Sequence, residues 1–194
     1  MMNSLLMKLG TLMCVLAVHA DVMPVEDVDV KPVEDFHVKT VEDFDMEKMA
    51  GEWYLVGYAS NAQWFVNSKE ETKLSTNIYK PGHEGHMDLI YSQTDANGTC
   101  SNVTFHALKT DTPGRFTYHS EIWNNDNDMR IVEVKYDDYA LVHTIKTSDN
   151  SSEVLNNLLS RTNETSADLQ EKFSTFSTKT GILPENILIL PKKM

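Results

Sequence analysis

Between Gly51 and Arg161 the chain consists of short stretches in which apolar and polar residues alternate, separated by turn residues at regular spacing. Alternation with a period of two is typical of β-strands, and evenly spaced short strands are typical of an antiparallel sandwich or barrel. Eight strands can be drawn, and a closed barrel of eight strands has an interior that can hold one small ligand. The predicted strands lie near residues 52–60, 72–80, 86–94, 100–109, 114–120, 128–136, 138–146 and 153–161.

The pattern changes after the last of these strands. Residues 165–168 (Thr-Ser-Ala-Asp) have the form of an N-terminal capping box, with Asp at its fourth position. Leu169, Phe173 and Phe176 then recur at helical spacing, so a single amphipathic helix should pack on the outside of the barrel. A short last strand is expected at 187–190.

The first 20 residues have the organisation of a secretory signal peptide. Lys8 supplies the positive charge, residues 9–18 form the apolar stretch, and Val18-His19-Ala20 resembles a cleavage site. The apolar stretch is too short to span a bilayer. The sequence therefore predicts a secreted, extracellular protein with no membrane span.

A motif of eight residues, here called the octad, occurs about three times between residues 24 and 47. Pro24–Lys31, Pro32–Lys39 and Thr40–Glu47 each carry the motif Val-Glu-Asp at their second to fourth positions. The acidic composition of these copies, with proline opening the first two, is typical of an extended or disordered arm. We therefore divide the chain into a signal peptide (1–20), an acidic repeat arm (21–43) and a barrel domain (44–194), with the third copy docking as a helical turn.

The composition of the chain argues against some classes of binding partner. The formal net charge of −12 argues against binding to nucleic acid or to an anionic membrane surface. Of the two cysteines, Cys14 belongs to the signal peptide, which leaves Cys100 as an odd thiol in a secreted chain. Cys100 shares strand parity with Asn102, so we expect it to point outward, as an exposed thiol or as half of a disulfide-linked dimer.

Four glycosylation sequons of the form Asn-x-Ser/Thr follow the signal peptide, and such sequons mark surface positions in secreted proteins. They begin at Asn97, Asn102, Asn150 and Asn163.

Three motifs near the strand ends point to a barrel that closes on itself. Gly51-x-Trp53 opens the first strand, Tyr136-Asp137-Asp138-Tyr139 forms a strand-turn-strand, and Arg161 lies near the end of the last strand. An arginine stacked on an indole would require the two ends of the strand region to be adjacent, and such a contact is worth about 0.5–2 kcal/mol.

These three motifs, in this order, resemble the three signature regions of the lipocalin family, and the resemblance covers residues 44–191. Finer similarities lie in Ala59-Ser60-Asn61 before Trp64, in residues 159–162, and in residues 171–173 before 189–191. These resemble the lipocalin-type prostaglandin D synthase branch. The resemblance implies an all-β, eight-stranded antiparallel up-and-down barrel with one C-terminal flanking helix and a cup open at one end.

Two departures from that branch bear on function. The branch uses a catalytic cysteine on the second strand, and the matching position here is Ser75, whose hydroxyl is a far weaker nucleophile without an adjacent base. Family members commonly join the fourth strand to the C-terminal tail by a disulfide, and residues 191–194 offer no partner for Cys100. Because Ser75 replaces the cysteine, no catalytic residue is assigned.

The interior of the cup is the expected ligand site. On the second strand Leu74 and Ile78 form the more apolar face, but the family register turns Ser75 and Asn77 inward, which leaves an apolar outer surface for the helix. A slip of one residue would exchange the two faces. The residues expected inside or near the mouth are Leu55, Ser75, Asn77, Tyr79, Ile90, Ser92, Phe105, Ala107, Phe116, Tyr118, Trp123, Met129, Val142, Leu155 and Leu159.

Other candidate chemistry is weak. His83 and His86 flank Glu84 in a turn, but two histidines without a third ligand favour a solvated loop over a metal site, and no cofactor is expected.

Three functions remain: a carrier of a small lipid-, retinoid- or fatty-acid-like molecule without turnover, an isomerase of a prostaglandin endoperoxide, and a glycoprotein whose acidic arm binds a partner. We favour the carrier, because Ser75 occupies the position at which the resembling enzymes have their catalytic cysteine.

Overall fold

The computed structural model describes residues 38–94, 100–149 and 151–190, and its described residues form nine antiparallel β-strands. The strands are β1 (Gly51–Ser60), β2 (Ser75–Pro81), β3 (Met87–Thr94), β4 (Cys100–Lys109), β5 (Arg115–Ser120), β6 (Asn125–Lys135), β7 (Tyr139–Ser148), β8 (Ser151–Ser160) and β9 (Ile187–Ile189).

Strands β2 to β8 pair in sequence order, β8 pairs with β1, and β1 pairs back with β2. The eight-stranded antiparallel barrel predicted from the sequence is therefore confirmed. Strand β9 adds to β1 at Gly57–Ala59, beyond the point where β2 ends its pairing at Leu55. The largest differences from the predicted strand bounds are at β2, which begins at Ser75, and at β6, which begins at Asn125.

Three α-helices accompany the barrel in the described part of the chain: α1 (Met46–Met49), α2 (Gln63–Ser68) and α3 (Ala167–Lys179). Helix α2 and a 3-10 turn at Lys69–Glu71 occupy the connection from β1 to β2. Helix α3 is the predicted C-terminal helix, but its cap is not Thr165. The side chain of Ser166 accepts the hydrogen bond from the backbone N–H of Leu169 instead, at 3.3 Å.

Trp53 and Arg161 close one end of the barrel, as predicted. Trp53 is completely buried, and the guanidinium carbon of Arg161 lies 3.7 Å from the centroid of its indole ring. The indole N–H donates to the carbonyl of Met49 at 2.9 Å. Arg161 donates further hydrogen bonds to four backbone carbonyls, those of Lys48, Ala50, Glu52 and Tyr136, which joins three chain segments at this end.

The third octad packs against the closed end. The ring of Phe44 lies edge-on to that of Phe116, with centroids 5.5 Å apart, and the backbone N–H of Asp45 donates to the Tyr136 hydroxyl at 2.7 Å. Contact begins before Phe44, because the N–H of Val41 donates to the carbonyl of Ile131 at 2.9 Å. Contact with the barrel thus begins before residue 44, the predicted start of the barrel domain. The first octad and most of the second lie outside the described residues.

Helix α3 covers the outer face of β1, β7 and β8. Leu169 and Phe173 pack there against Val56, Leu141 and Leu158 in a second apolar cluster, separate from the barrel interior. Gly57 permits this close approach, because an added Cβ would lie 2.8 Å from Leu158 Cβ and 2.9 Å from a ring carbon of Phe173. The predicted inward register of Ser75 and Asn77 is correct, since they pair with Leu55 and Trp53. Of the two residues predicted to form the outer surface for the helix, Leu74 packs against the apolar cluster under the helix, whereas Ile78 is not part of that cluster.

Candidate functional site

The barrel contains a cavity of about 700 Å³ at the end opposite Trp53 and Arg161. Small-molecule sites typically measure about 300–1,000 Å³ and combine an apolar lining with a few polar groups. The apolar and aromatic lining residues are Leu55, Tyr58, Trp64, Tyr91, Tyr118, Trp123 and Leu155. The polar lining residues are Thr72, Lys73, Ser75, Asn77, Ser92, Asn125, Thr144, Lys146, Ser148, Ser151, Glu153 and Asn157.

The residues expected inside the cup fall into two layers. One layer lines the cavity and contains Leu55, Ser75, Asn77, Ser92, Tyr118, Trp123 and Leu155. The other belongs to the buried core cluster of the barrel interior and contains Tyr79, Phe105, Ala107, Phe116, Met129, Val142 and Leu159. The second layer bounds the space that a ligand could fill, and its role in binding stays a prediction.

Ile90 belongs to neither layer, because the inward face of strand β3 was predicted wrongly. In an antiparallel pair, residues opposite each other point to the same side of the sheet. Leu89 pairs with the buried Phe105, and Tyr91 pairs with Val103, so the odd-numbered residues of β3 point inward. Ile90 therefore points outward. Ser92 touches the rim of the cavity, but its hydroxyl donates to the side chain of Asn102 at 3.1 Å.

Several lining residues were missed. Thr144 and Lys146 continue the inward parity of Val142 along β7, and Glu153 and Asn157 flank Leu155 with the same parity on β8. Strict alternation applied to the full length of both strands would have found these four residues.

Tyr58 could not have been found in this way. A register shift between Leu55 and Gly57 places Val56 and Gly57 both on the outer face, and Tyr58 returns to the inside. Such a bulge reverses the parity of every residue that follows it in the strand.

Lys146 lies at the mouth between two indole rings. Its Nζ atom is 5.2 Å from the ring centroid of Trp64 and 4.8 Å from that of Trp123. The indole N–H of Trp64, on helix α2, donates to a carboxylate oxygen of Glu153 at 2.8 Å. Burial lowers the pKa of the Lys146 ammonium group, and the charge of Glu153 opposes that shift. Two aromatic rings, the Lys146 cation and the Glu153 carboxylate therefore cluster at the mouth, and Lys73 is a second cation in the cavity lining.

Three tyrosine hydroxyls meet deeper in the barrel. Burial raises the pKa of Tyr91 to about 12, although hydrogen bonding with the hydroxyls of Tyr118 and Tyr79 opposes the shift. Burial also raises the pKa values of Tyr79 and Tyr118. All three side chains are neutral at physiological pH, so they offer hydrogen bonds and aromatic surface but no charge.

Ser75 faces the cavity from the start of β2. A serine hydroxyl acts as a nucleophile when an adjacent general base removes its proton. Among the described residues that line the cavity there is no histidine and no cysteine.

Comparison with known proteins shows the family to which this chain belongs. The sequence model of the Lipocalin / cytosolic fatty-acid binding protein family matches residues 50–194, which is most of the chain. The chain belongs to the lipocalin family. The resemblance seen in Gly51, Trp53 and Arg161 is thereby confirmed, and the members of this family bind small hydrophobic ligands.

Two groups of relatives are informative for this lipocalin. A protein named lipocalin from Rhinella marina is 36% identical over 146 residues, which covers 75% of this chain and 79% of that one. A prostaglandin-H2 D-isomerase from Felis catus is 31% identical over 147 residues, with coverage of 75% and 76%. The chain is thus similar both to a protein named only for its family and to named isomerases.

Solved structures support the lipocalin fold. The siderocalin Ex-FABP, described as having dual ligand specificities, aligns with a TM-score of 0.65 at 23% identity and covers 76% of this chain and 96% of its own. Lipocalin 12 from rat epididymis aligns with a TM-score of 0.69 at 19% identity, with coverage of 79% and 89%. In the described part of this lipocalin, no helix has the length and apolar character needed to cross a membrane.

The remaining predicted sites lie mostly at the edge of what the structure describes. Cys100 begins β4, but its side chain lies outside the described residues, and the predicted disulfide-linked dimer has no support. Of the sequon asparagines, Asn102 is exposed and Asn163 is half-buried, whereas Asn97 and Asn150 lie outside the described residues. Within the described ranges, no group of three or more His, Cys, Asp or Glu side chains could hold a metal ion.

Proposed function

We propose that this lipocalin is a secreted carrier that binds a small hydrophobic molecule in the barrel cavity and transports it without turnover. The observation that carries the proposal is the cavity of about 700 Å³ with seven apolar or aromatic lining residues. The size suits one lipid-, retinoid- or fatty-acid-like molecule. Secretion rests on the signal-peptide pattern of residues 1–20, and glycosylation rests on the sequons.

Binding should be visible in tryptophan fluorescence. Trp64 and Trp123 line the cavity, so a retinoid that absorbs at their emission wavelength should quench them with a stoichiometry of one per chain. Leu155→Trp, which adds bulk inside the cavity, is expected to weaken binding about tenfold through overpacking. Retinoid fluorescence should be used for this comparison, because the substitution adds an indole.

Ile145→Trp is the matched control, since Ile145 lies on the neighbouring strand β7 with its side chain on the outer face of the barrel. It should leave the dissociation constant unchanged. Equal loss of binding in both variants, or no quenching of the wild-type protein, would contradict the carrier proposal.

The alternative function is isomerisation of a prostaglandin endoperoxide, and the named activity of the relatives is the reason to test it. We expect wild type to show no conversion above that of Ser75→Ala. A thiolate is a much stronger nucleophile than a hydroxyl, so Ser75→Cys is expected to gain conversion that wild type lacks. If wild type converts the endoperoxide as well as Ser75→Cys does, the proposal of a carrier without turnover is wrong.

A further inference from the structure

The geometry points to a ligand with an anionic head, which we propose is a carboxylate held beside Lys146 at the mouth while an apolar tail occupies the barrel. This inference rests on the proposed carrier function and specifies which class of hydrophobic molecule the carrier accepts. It makes Lys146 the residue that selects an acid over the corresponding alcohol.

The position of Lys146 is the first support. The side chain comes from the inward face of β7, one alternation beyond Thr144, and it lines the cavity. Trp64 and Trp123 hold the ammonium group between their rings, at 5.2 and 4.8 Å from the ring centroids. A lysine that served only solubility would extend its charge into water, as lysines on strand surfaces do.

The charge balance at the mouth is the second support. Of the described residues that line the cavity, Lys73, Lys146 and Glu153 are charged, which leaves an excess of one positive charge. The carboxylate of Glu153 accepts a hydrogen bond from the indole N–H of Trp64 and also stabilises the charge of Lys146. Partial burial favours loss of the Lys146 charge, and a ligand carboxylate would reverse this preference because opposite charges stabilise each other.

The rest of the cavity fixes the orientation of such a ligand. Lys146 lies near the turn between β7 and β8, whereas Leu55 and Tyr91 lie deeper, beside the core of the barrel interior. An apolar tail placed against these deeper residues would leave its head at the level of Lys146. The overall charge of −12 repels anions in general, so selection of an acid depends on this local cation.

Retinoic acid and retinol provide the test, because they share one apolar skeleton and differ in the head group. Fluorescence titration of the wild-type protein should give a dissociation constant about tenfold or more lower for the acid, since a charge-assisted hydrogen bond is stronger than a neutral one. Lys146→Met should abolish this preference by weakening the binding of the acid, with retinol affected by less than about threefold.

Two variants and a pH series complete the experiment. Lys146→Arg should keep the preference for the acid because it keeps the charge. Lys80→Met, the same substitution at an exposed lysine outside the cavity, should leave both dissociation constants unchanged. With wild type alone, raising the pH through the lowered pKa of Lys146 should remove the preference, because the ammonium form that binds the acid is lost.

The two proposals fail in different ways. If wild type binds neither retinoid nor a second matched pair, hexadecanoic acid and hexadecanol, the carrier function is wrong and the inference falls with it. If wild type binds acid and alcohol equally, or Lys146→Met keeps the preference for the acid, the carrier function stands and the role of Lys146 is wrong. A pH series that compares wild type with Lys146→Arg decides the matter even if Lys146→Met does not fold, because only the arginine keeps its charge at high pH.

Discussion

Replacing Trp53 by alanine is expected to lower the free energy of unfolding by about 3–5 kcal/mol, as truncation of a large buried aromatic side chain usually does. Trp53 is completely buried, donates a hydrogen bond to Met49, and supports the guanidinium group of Arg161. The substitution therefore leaves a cavity and also removes the surface on which Arg161 rests. Equilibrium denaturation in urea, followed by circular dichroism, measures the change.

Trp64→Ala is the matched control for this prediction. Trp64 is 42% exposed and its main contacts are at the mouth, so its removal should cost much less than removal of Trp53. Similar losses of stability in the two variants would contradict the view that the closed end, and not the mouth, holds the barrel together.

The second large effect is expected at the contact between helix α3 and the barrel. Phe173 is completely buried against the outer face of β1, and Phe173→Ala should cost about 3–5 kcal/mol of unfolding free energy. Phe176→Ala, at a half-buried position of the same helix, should cost less. The same denaturation experiment applies to both variants.

A substitution at Gly57 tests the contact between helix α3 and the barrel more directly. Gly57→Ala alone should destabilise the protein by about 1–3 kcal/mol, because the new methyl group meets the ring of Phe173 and Leu158 Cβ. In the Phe173→Ala background the same change should cost less, since one of the two clashes has gone. Strict additivity in this double-mutant cycle would show that the helix does not press on Gly57.

The strands could be predicted because alternation is local in sequence, and the closed end because each of its motifs is short enough to recognise. Alternation gives the strands, and Trp53 with Arg161 marks the place where the ends meet. The inward face of β3 could not be predicted in the same way, because both faces carry apolar residues and only pairing with the neighbouring strands distinguishes Leu89 from Ile90. A period of two does not say which phase is inward.

The mouth was the least predictable part of the site. Trp64 belongs to a connection between strands, where no periodicity applies, and Tyr58 follows a bulge that alternation does not reveal. Lys146 has the correct parity, but a charged residue inside a barrel contradicts the ordinary preference for apolar interiors. Positions that break a local rule are often functional, and Lys146 is the position at which we place the ligand head group.

The arrangement of β1 and β9 has a practical consequence for attaching this protein to a surface. Strand β1 runs from the closed end at Gly51 towards the mouth, and β9 runs antiparallel to it, so the described chain leaves β9 heading back towards the closed end. The third octad also approaches at the closed end, where Phe44 contacts Phe116. A biosensor that immobilised the protein through the closed end would therefore present the cavity mouth to the solution, where ligand can enter.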